Sequence, residues 1–178
     1  MDIGCLGERY FIYVAAFGAF TDVAYNTPQQ FKNALGHLAY VLKGASELSS
    51  LKGYPLRVEY DGGVLEGEYL FGMVSNTVSV GGVLGFPSDQ VALDDGLLEL
   101  TLVERPKSVA QLNREIYALA KQEYNADTGV VGVHSAWFRI TCAQSLPFTL
   151  DGEFGGEHAQ VELEAVATPV RIAMGTEA

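Results

Sequence analysis

Hydrophobic residues follow two different periods along the chain, and most of them follow the two-residue period of β-strands. An apolar run covers Tyr10–Ala16, and Leu56, Val58 and Tyr60 alternate with polar residues. Further strand-like runs cover Val64–Val74, Leu97–Val103, Val130–His134, Trp137–Ala143, Phe148–Leu150, Gln160–Ala167 and Val170–Ala173. The pattern therefore predicts eight or nine strands.

Two segments follow the helical period instead. Thr27-Pro28 is a helix start, with threonine as N-cap and proline at the first helical position, and the stripe that follows is Phe31, Leu35, Leu38 and Leu42. Ser108 is predicted to cap a second helix, whose buried face is Val109, Leu112, Ile116 and Leu119. The sequence thus predicts an α+β fold dominated by an antiparallel β-sandwich with two helices, in a single domain over residues 1–178.

Composition narrows the class of protein. The chain has 178 residues, 48% of them hydrophobic and 19% charged, which is typical of an ordered globular protein. Its formal net charge of −11 provides no basic stripe for nucleic acid, so we expect no nucleic-acid partner. The two cysteines are too few for a disulfide framework, and Cys142 is predicted to be a buried thiol. Because no apolar run reaches the length of a membrane span and no signal peptide is present, we expect a cytoplasmic protein.

Two acidic turns are the segments with the clearest chemical potential. Asp151-Gly152-Glu153 follows a strand, and an Asp-Gly pair there predicts a tight turn that fixes the two carboxylates. The segment Ala92–Leu97 could offer the Asp95 carboxylate and neighbouring backbone carbonyls to Mg²⁺ or Ca²⁺. A carboxylate free of metal could accept a proton from a substrate hydroxyl. Taken alone, however, the pattern favours solvated acids in ordinary hairpins, because Asp-Gly turns are common in β proteins.

A series of short motifs, spread from about Asp2 to Ile172, indicates the family to which the chain is similar. In chain order they are Arg9-Tyr10-Phe11-Ile12, Val14-Ala15-Ala16, Gly18-Ala19-Phe20-Thr21, Thr27-Pro28, Leu35-Gly36-His37-Leu38-Ala39-Tyr40, Val74-Ser75-Asn76-Thr77, Ser79-Val80-Gly81-Gly82, Leu93-Asp94-Asp95-Gly96-Leu97-Leu98 and Leu150-Asp151-Gly152-Glu153. In this order the chain resembles the C-terminal domain of bacterial diacylglycerol kinases and related lipid kinases, including sphingosine kinases.

The resemblance implies a fold and an activity. Members of that family join an N-terminal nucleotide-binding domain, with a Gly-Gly-Asp-Gly-Thr-type loop, to a C-terminal β-sandwich similar to that of NAD kinase. They transfer the γ-phosphoryl group of ATP, with Mg²⁺, to a lipid hydroxyl such as that of diacylglycerol. We therefore expect this chain to be the C-terminal domain alone, inactive without the nucleotide-binding domain. A lipid substrate, peripheral contact with the inner membrane face and pairing of two copies through an edge strand are further expectations.

The resemblance also assigns roles to residues. Glu153 matches the catalytic base at the lipid hydroxyl, and Asp151 belongs to the same acidic network. Asp95, with the carbonyls of Ala92 and Leu97, matches a structural Mg²⁺ site that is linked through water to aspartates of the N-terminal domain. Tyr13 departs from the pattern, because the family usually has asparagine at this position.

Two other functions remain open from the sequence. The chain could be a non-catalytic β-sandwich module that binds a lipid or another small molecule, with acidic turns that are only structural. It could also belong to a different kinase of the same superfold, with a nucleoside or sphingoid substrate. A nucleotide loop encoded upstream would favour the kinase interpretations over the binding module.

Overall fold

The computed structural model describes residues 1–19, 51–80, 84–125 and 127–167. These ranges contain nine strands and one helix: β1 Ile3–Leu6, β2 Arg9–Phe11, β3 Val14–Gly18, β4 Tyr54–Tyr60, β5 Gly63–Ser75, β6 Leu98–Glu104, α1 Val109–Lys121, β7 Val130–Ser135, β8 Trp137–Leu150 and β9 Glu153–Val166. The mainly β class is confirmed. The first predicted helix, along Phe31–Leu42, and the predicted strand Val170–Ala173 lie outside the described residues.

All paired strands in the described ranges run antiparallel and belong to one sheet, with the order β2-β1-β9-β8-β3-β5-β6-β7. Strand β4 lies off this path and pairs with both β5 and β8. Because β3 also pairs with β5 and β8, these four strands close a ring. The long strands β5 and β8 contribute to both sides of this ring, which explains their lengths of 13 and 14 residues.

Alternation along β6 divides the core in two. Leu98, Leu100 and Leu102 point into the larger hydrophobic cluster, in which Phe17, Phe138 and Phe148 are also buried. The opposite face of β6 belongs to a second cluster, formed by Val14, Ala16, Phe71, Met73, Val80, Leu84, Val103, Ala118, Leu119 and Val130. Both faces of β6 are therefore covered, as its near-continuous burial requires.

The N-terminal strands differ from the prediction. The apolar run Tyr10–Ala16 is not one strand, because it is interrupted at Ile12–Tyr13 between β2 and β3. Strand β1, which pairs with β2 and β9, was not predicted from the sequence. Gly4 weakens the strand pattern there, but the Phe11 ring packs so closely over it that a Cβ at this position would overlap the ring.

The two runs predicted near the C-terminus, Trp137–Ala143 and Phe148–Leu150, form the single strand β8. An irregularity in its pairing with β9 falls between Thr141 and Leu146, where the hydrophobic alternation is lost. Strand β9 begins at Glu153, so Phe154 to Gly156 belong to the strand instead of extending the turn. The prediction of a strand only from Gln160 was therefore wrong at its start.

Helix α1 begins as predicted. The Ser108 side chain accepts a hydrogen bond from the Gln111 backbone N–H at 3.1 Å, which caps the helix. Leu112 and Leu119 are buried, but the buried face also includes Glu115, which the pattern did not indicate. No helix in the described part of the chain is long and apolar enough to cross a membrane.

Candidate functional site

Asp151 and Gly152 form the two-residue connection between β8 and β9. Their φ values are 50° and 90°, and Leu150 pairs directly with Glu153 across the turn. Positive φ at both central residues identifies a type I′ turn, which matches the twist of the two strands. The predicted tight turn is confirmed, and it fixes the backbone positions of both candidate carboxylates.

The Asp151 carboxylate accepts hydrogen bonds from three consecutive backbone N–H groups. Ile12 donates to Oδ2 at 2.8 Å, while Tyr13 and Val14 donate to Oδ1 at 2.9 and 2.8 Å. The Asp151 N–H in turn donates to the Val14 carbonyl at 2.8 Å. These bonds explain why the apolar run breaks here, since the N–H groups of this segment point at a carboxylate instead of a neighbouring strand.

Glu153 has a different environment from Asp151. It is the first residue of β9, its side chain is exposed, and it makes no hydrogen bond or ion pair with the described residues. The neighbouring Phe154 side chain is 64% exposed, and its carbonyl accepts a hydrogen bond from the Arg9 guanidinium at 2.8 Å. The turn thus presents one carboxylate held by the backbone and one available to a ligand.

The second acidic turn lies at the same end of the sheet, directly before β6. Gly96 has a φ of 77°, and its N–H donates to Asp2 Oδ2 at 2.7 Å. The Asp2 N–H donates to the Leu93 carbonyl at 2.7 Å. Asp2 is buried and so holds both sides of this turn, a role that the sequence analysis did not assign to it.

The donor set of this turn suits a hard cation. Asp95 is exposed, and its Oδ1 accepts a hydrogen bond from the Leu97 N–H at 3.0 Å. Neither the Ala92 nor the Leu97 carbonyl accepts a hydrogen bond within the described residues. One carboxylate and two carbonyls are oxygen donors of the type that Mg²⁺ prefers. Since the described ranges contain no group of three or more His, Cys, Asp or Glu side chains that could hold a metal, carbonyls and water would have to complete the coordination.

Asn76 connects the two acidic turns. Its backbone N–H donates to the Tyr13 carbonyl at 3.4 Å, next to the segment that binds Asp151. Its side-chain amide donates to the Asp2 carbonyl at 2.8 Å and to the Leu93 carbonyl at 3.4 Å. The two acidic turns are therefore joined through one buried residue, Asn76, by its backbone on one side and its side chain on the other.

Glu99 is a second buried acid that the sequence did not single out. Burial raises the pKa of Glu99 to about 7, and the nearby negative charge of Asp95 acts in the same direction. The N–H groups of Glu99 itself and Thr77 oppose this rise, although neither forms a well-aligned hydrogen bond to the carboxyl group. In sequence Glu99 is a polar residue alternating with leucines, which is the usual pattern of a solvent-facing position.

Comparison with known proteins identifies relatives of this chain. The family model described as the YegS C-terminal NAD kinase beta sandwich-like domain matches residues 15–174. Curated relatives include proteins named diacylglycerol kinase from two Staphylococcus aureus strains, bovine RF122 / ET3-1 and JH9. Each is 35% identical to this chain over 157 residues, which cover 88% of this chain and 49% of the relative. The chain thus spans about half the length of these curated relatives.

Solved structures show the same fold. The crystal structure of a diacylglycerol kinase from Bacillus anthracis str. Sterne superposes with a TM-score of 0.56 at 20% identity, over 93% of this chain and 50% of that one. Another crystal structure from the same organism gives a TM-score of 0.69, also at 20% identity, over 93% and 52% of the two chains. At this identity the likeness supports the fold alone, while the family match supports descent.

Proposed function

The chain belongs to the family of YegS C-terminal NAD kinase beta sandwich-like domains, and on this premise we propose that it is the lipid-side part of an ATP-dependent kinase. The proposed acceptor is the hydroxyl group of a diacylglycerol-type lipid. The proposal follows the curated relatives, which are named diacylglycerol kinase and are about twice as long as this chain. We assign ATP binding mainly to an N-terminal nucleotide-binding domain outside residues 1–178.

The contrast between the two carboxylates of the β8–β9 turn carries this proposal. Asp151 is held by three backbone N–H groups, whereas Glu153, two residues later, is exposed and unpartnered within the described residues. A carboxylate on a fixed backbone, with oxygens free of partners among the described residues, suits a general base. Glu153 would accept the proton of the lipid hydroxyl. The oxygen of that hydroxyl would form a bond to the γ-phosphorus of ATP, while the bond between this phosphorus and the leaving ADP oxygen breaks.

Asp151 has a positioning role in this scheme. Its hydrogen bonds tie the turn to Ile12, Tyr13 and Val14, so the base stays at a fixed distance from the segment between β2 and β3. Phosphoryl transfer depends mainly on such positioning and on neutralisation of charge. The carbonyls of Ala92 and Leu97 and the Asp95 carboxylate would hold Mg²⁺, which when bound supplies positive charge near the acidic network.

Exposed apolar side chains beside the turn support a lipid acceptor. Tyr10, Ile12 and Phe154 are 63%, 56% and 64% exposed, and all three lie on segments joined to the turn by hydrogen bonds. Large exposed apolar side chains close to a candidate site favour an apolar ligand or a membrane. We therefore place the proposed reaction at a membrane surface, on the cytoplasmic side.

The test is lipid phosphorylation by the full-length kinase that contains these residues, with Glu153→Gln as the variant. General-base catalysis contributes roughly 10²–10⁴-fold, so the variant should lose activity on that scale in kcat and keep its KM for ATP. Glu157→Gln, another exposed acid on β9, is the matched control and should keep activity. Residues 1–178 alone should not turn over ATP.

Retention of kcat by Glu153→Gln would exclude Glu153 as the base. If the full-length protein bound lipid vesicles but phosphorylated no lipid, the interpretation as a non-catalytic binding module would replace the kinase. A sphingoid base or nucleoside accepted in place of diacylglycerol would retain the mechanism and change only the substrate class.

A further inference from the structure

A row of polar side chains crosses three adjacent strands beneath the second hydrophobic cluster. Ser75 on β5 is paired with Glu99 on β6, and Glu99 is paired with His134 on β7. Directly paired residues share a face of the sheet, and Thr101, two residues after Glu99, shares that face as well. These four residues, which we call the polar row, therefore point in one direction.

Polar atoms of these four side chains are buried and have no hydrogen-bond partner among the described residues. Ser75, Glu99 and Thr101 are each 0% exposed. Both Glu99 carboxylate oxygens, the two hydroxyl oxygens and His134 Nε2 are buried without a hydrogen bond. An unsatisfied buried polar group destabilises the fold, and a buried charge without a partner destabilises it more. Five such atoms on one face indicate that something other than the protein satisfies them.

Aromatic and aliphatic side chains pack against the polar row and the second hydrophobic cluster. The Phe86 ring lies 4.5 Å from the His134 ring, and Tyr124 packs edge-on against Phe86. Tyr124 is itself anchored through its hydroxyl, which donates to the Gly85 carbonyl. Val80 and Leu84 pair with each other and belong to the same cluster. Among the described residues, the groups that these contacts place against the row and its cluster are therefore aromatic and aliphatic, and they carry no charge.

The spacing within the row suits a bound ion. Cross-strand Cβ atoms lie about 4.5–5.5 Å apart, and hard cations bind oxygen ligands at about 2.0–2.6 Å. Donors on neighbouring strands that are too far apart to bond one another can therefore share one ion between them. No Lys or Arg side chain of the described residues forms an ion pair with Glu99. A cation would supply the missing charge.

From this geometry we propose that Ser75, Glu99, Thr101 and His134 form a buried binding site for a divalent metal cation. The donor set combines carboxylate and hydroxyl oxygens, which suit Mg²⁺, Ca²⁺ and Mn²⁺, with an imidazole nitrogen, which suits transition metals. Mn²⁺ satisfies both preferences and is the cation that we assign to the site. This site shares no ligand with the Asp95 turn, and the proposal does not depend on the proposed kinase activity.

The experiment uses the paramagnetism of Mn²⁺, which broadens the proton signals of nearby side chains. The chain has three histidines, His37, His134 and His158, whose imidazole C2 protons can be assigned by His→Gln substitution at each. On addition of substoichiometric MnCl2 to the 178-residue chain, the His134 signal should lose more than half of its intensity before the His158 signal changes. Excess MgCl2 should restore the signal only in part.

Two variants separate the polar row from the other candidate metal site. In Asp95→Asn the turn loses its carboxylate, and the loss of the His134 signal should persist. In Glu99→Gln, an isosteric change that leaves no charge to bury, the His134 signal should stay sharp at the same Mn²⁺ concentration. Thr101→Val should require more Mn²⁺ for the same loss, and it serves as a second test if Glu99→Gln does not fold.

Three results would overturn the site. A His134 signal that is unchanged at excess MnCl2 would mean that only water satisfies the polar row. Broadening that disappears in Asp95→Asn would assign the ion to the turn. Broadening of equal extent in wild type, Glu99→Gln and Thr101→Val would mean that the ion binds elsewhere on the surface.

Discussion

The Tyr13 backbone N–H donates a hydrogen bond to Asp151 Oδ1 at 2.9 Å, although the two residues are 138 positions apart. With the bonds from Ile12 and Val14, this contact joins the N-terminal strands to the β8–β9 turn. The donors are neutral and the acceptor is a carboxylate, so the bonds are of the stronger, charge-assisted type. The turn that carries Glu153 is therefore stabilised from outside its own hairpin.

Asp151→Asn should destabilise the protein. Asparagine tolerates the positive φ of this position, so the backbone is preserved, but its amide presents one oxygen and an NH₂ group to three N–H donors. Hydrogen bonds to charged groups contribute about 1.5–3 kcal/mol each, and we expect the free energy of unfolding to fall by about 2 kcal/mol. Urea denaturation measures this change. Glu153→Gln, at a side chain with no partner in the described residues, should stay within about 0.5 kcal/mol of wild type.

The same contact shows what the sequence could and could not predict. The hairpin at Asp151-Gly152 was predictable, because Asp-Gly after an alternating strand has a local physical reason to turn. The break at Ile12–Tyr13 was not, because the run is apolar and the carboxylate that interrupts it comes from the other end of the chain. The burial of Glu99 was not predictable for a similar reason: its alternation with leucines indicates a solvent-facing position, whereas the folded chain leaves its side chain 0% exposed.

The helix offers a test of electrostatics away from both turns. Burial raises the pKa of Glu115 to about 8, the nearby charge of Glu104 adds to the rise, and Gln111 and Arg114 oppose it. Glu115 Oε1 accepts a hydrogen bond from the Gln111 side chain at 2.9 Å, while Oε2 is buried without a partner. The folded protein therefore retains a proton here that the unfolded chain releases near its ordinary pKa of 4.5.

The sign of the pH dependence follows from proton binding. Between about pH 4.5 and pH 8 the folded state binds more protons at Glu115 than the unfolded state, so this residue makes stability fall as pH rises, by up to about 1.4 kcal/mol per pH unit. Glu115→Gln should be more stable than wild type at pH 8.5, and the difference should shrink toward pH 5. Urea denaturation at several pH values measures it. Glu123→Gln, at an exposed acid just after the helix, is the matched control for the change of charge. A pH-independent difference for Glu115→Gln would contradict the prediction.

The side-chain hydrogen bonds that Asn76 contributes to the link between the two acidic turns can be removed by replacing its donor group with an acceptor. Asn76→Asp replaces the amide group that donates to the Asp2 and Leu93 carbonyls with an oxygen that repels them. Because the site is buried, we expect a loss of about 3 kcal/mol and faster hydrogen exchange at the Gly96 N–H, whose acceptor Asp2 would no longer be held.

The control for this change is Asn125→Asp. The Asn125 side chain acts as an acceptor, since Oδ1 takes hydrogen bonds from the Asp127 and Thr128 N–H groups at 3.0 and 3.2 Å. A carboxylate preserves that role, so stability should be nearly unchanged. Equal destabilisation by both substitutions would show that the added charge, and not the direction of the hydrogen bond, is what matters at Asn76.

Magnesium should stabilise the chain through the Asp95 turn. Binding to the folded state alone contributes RT ln(1 + [L]/Kd), which is about 1.4 kcal/mol at a concentration ten times Kd. For a chain of this size, that corresponds to a rise in Tm of roughly 3–6 °C. Asp95→Asn should remove most of the rise, because Asn can still accept the hydrogen bond from the Leu97 N–H but lacks the negative charge that a hard cation requires.

The neighbouring acid Asp94 provides the matched control, because it lies in the same turn and is likewise exposed. Asp94→Asn should keep the full Mg²⁺-dependent rise in Tm, measured against NaCl at equal ionic strength to remove general screening. An equal rise in wild type, Asp94→Asn and Asp95→Asn would place the ion outside the turn. If the rise in Tm that persists in Asp95→Asn were lost when Glu99→Gln is added, the ion would be assigned to the buried polar row. This result would separate the two candidate metal sites.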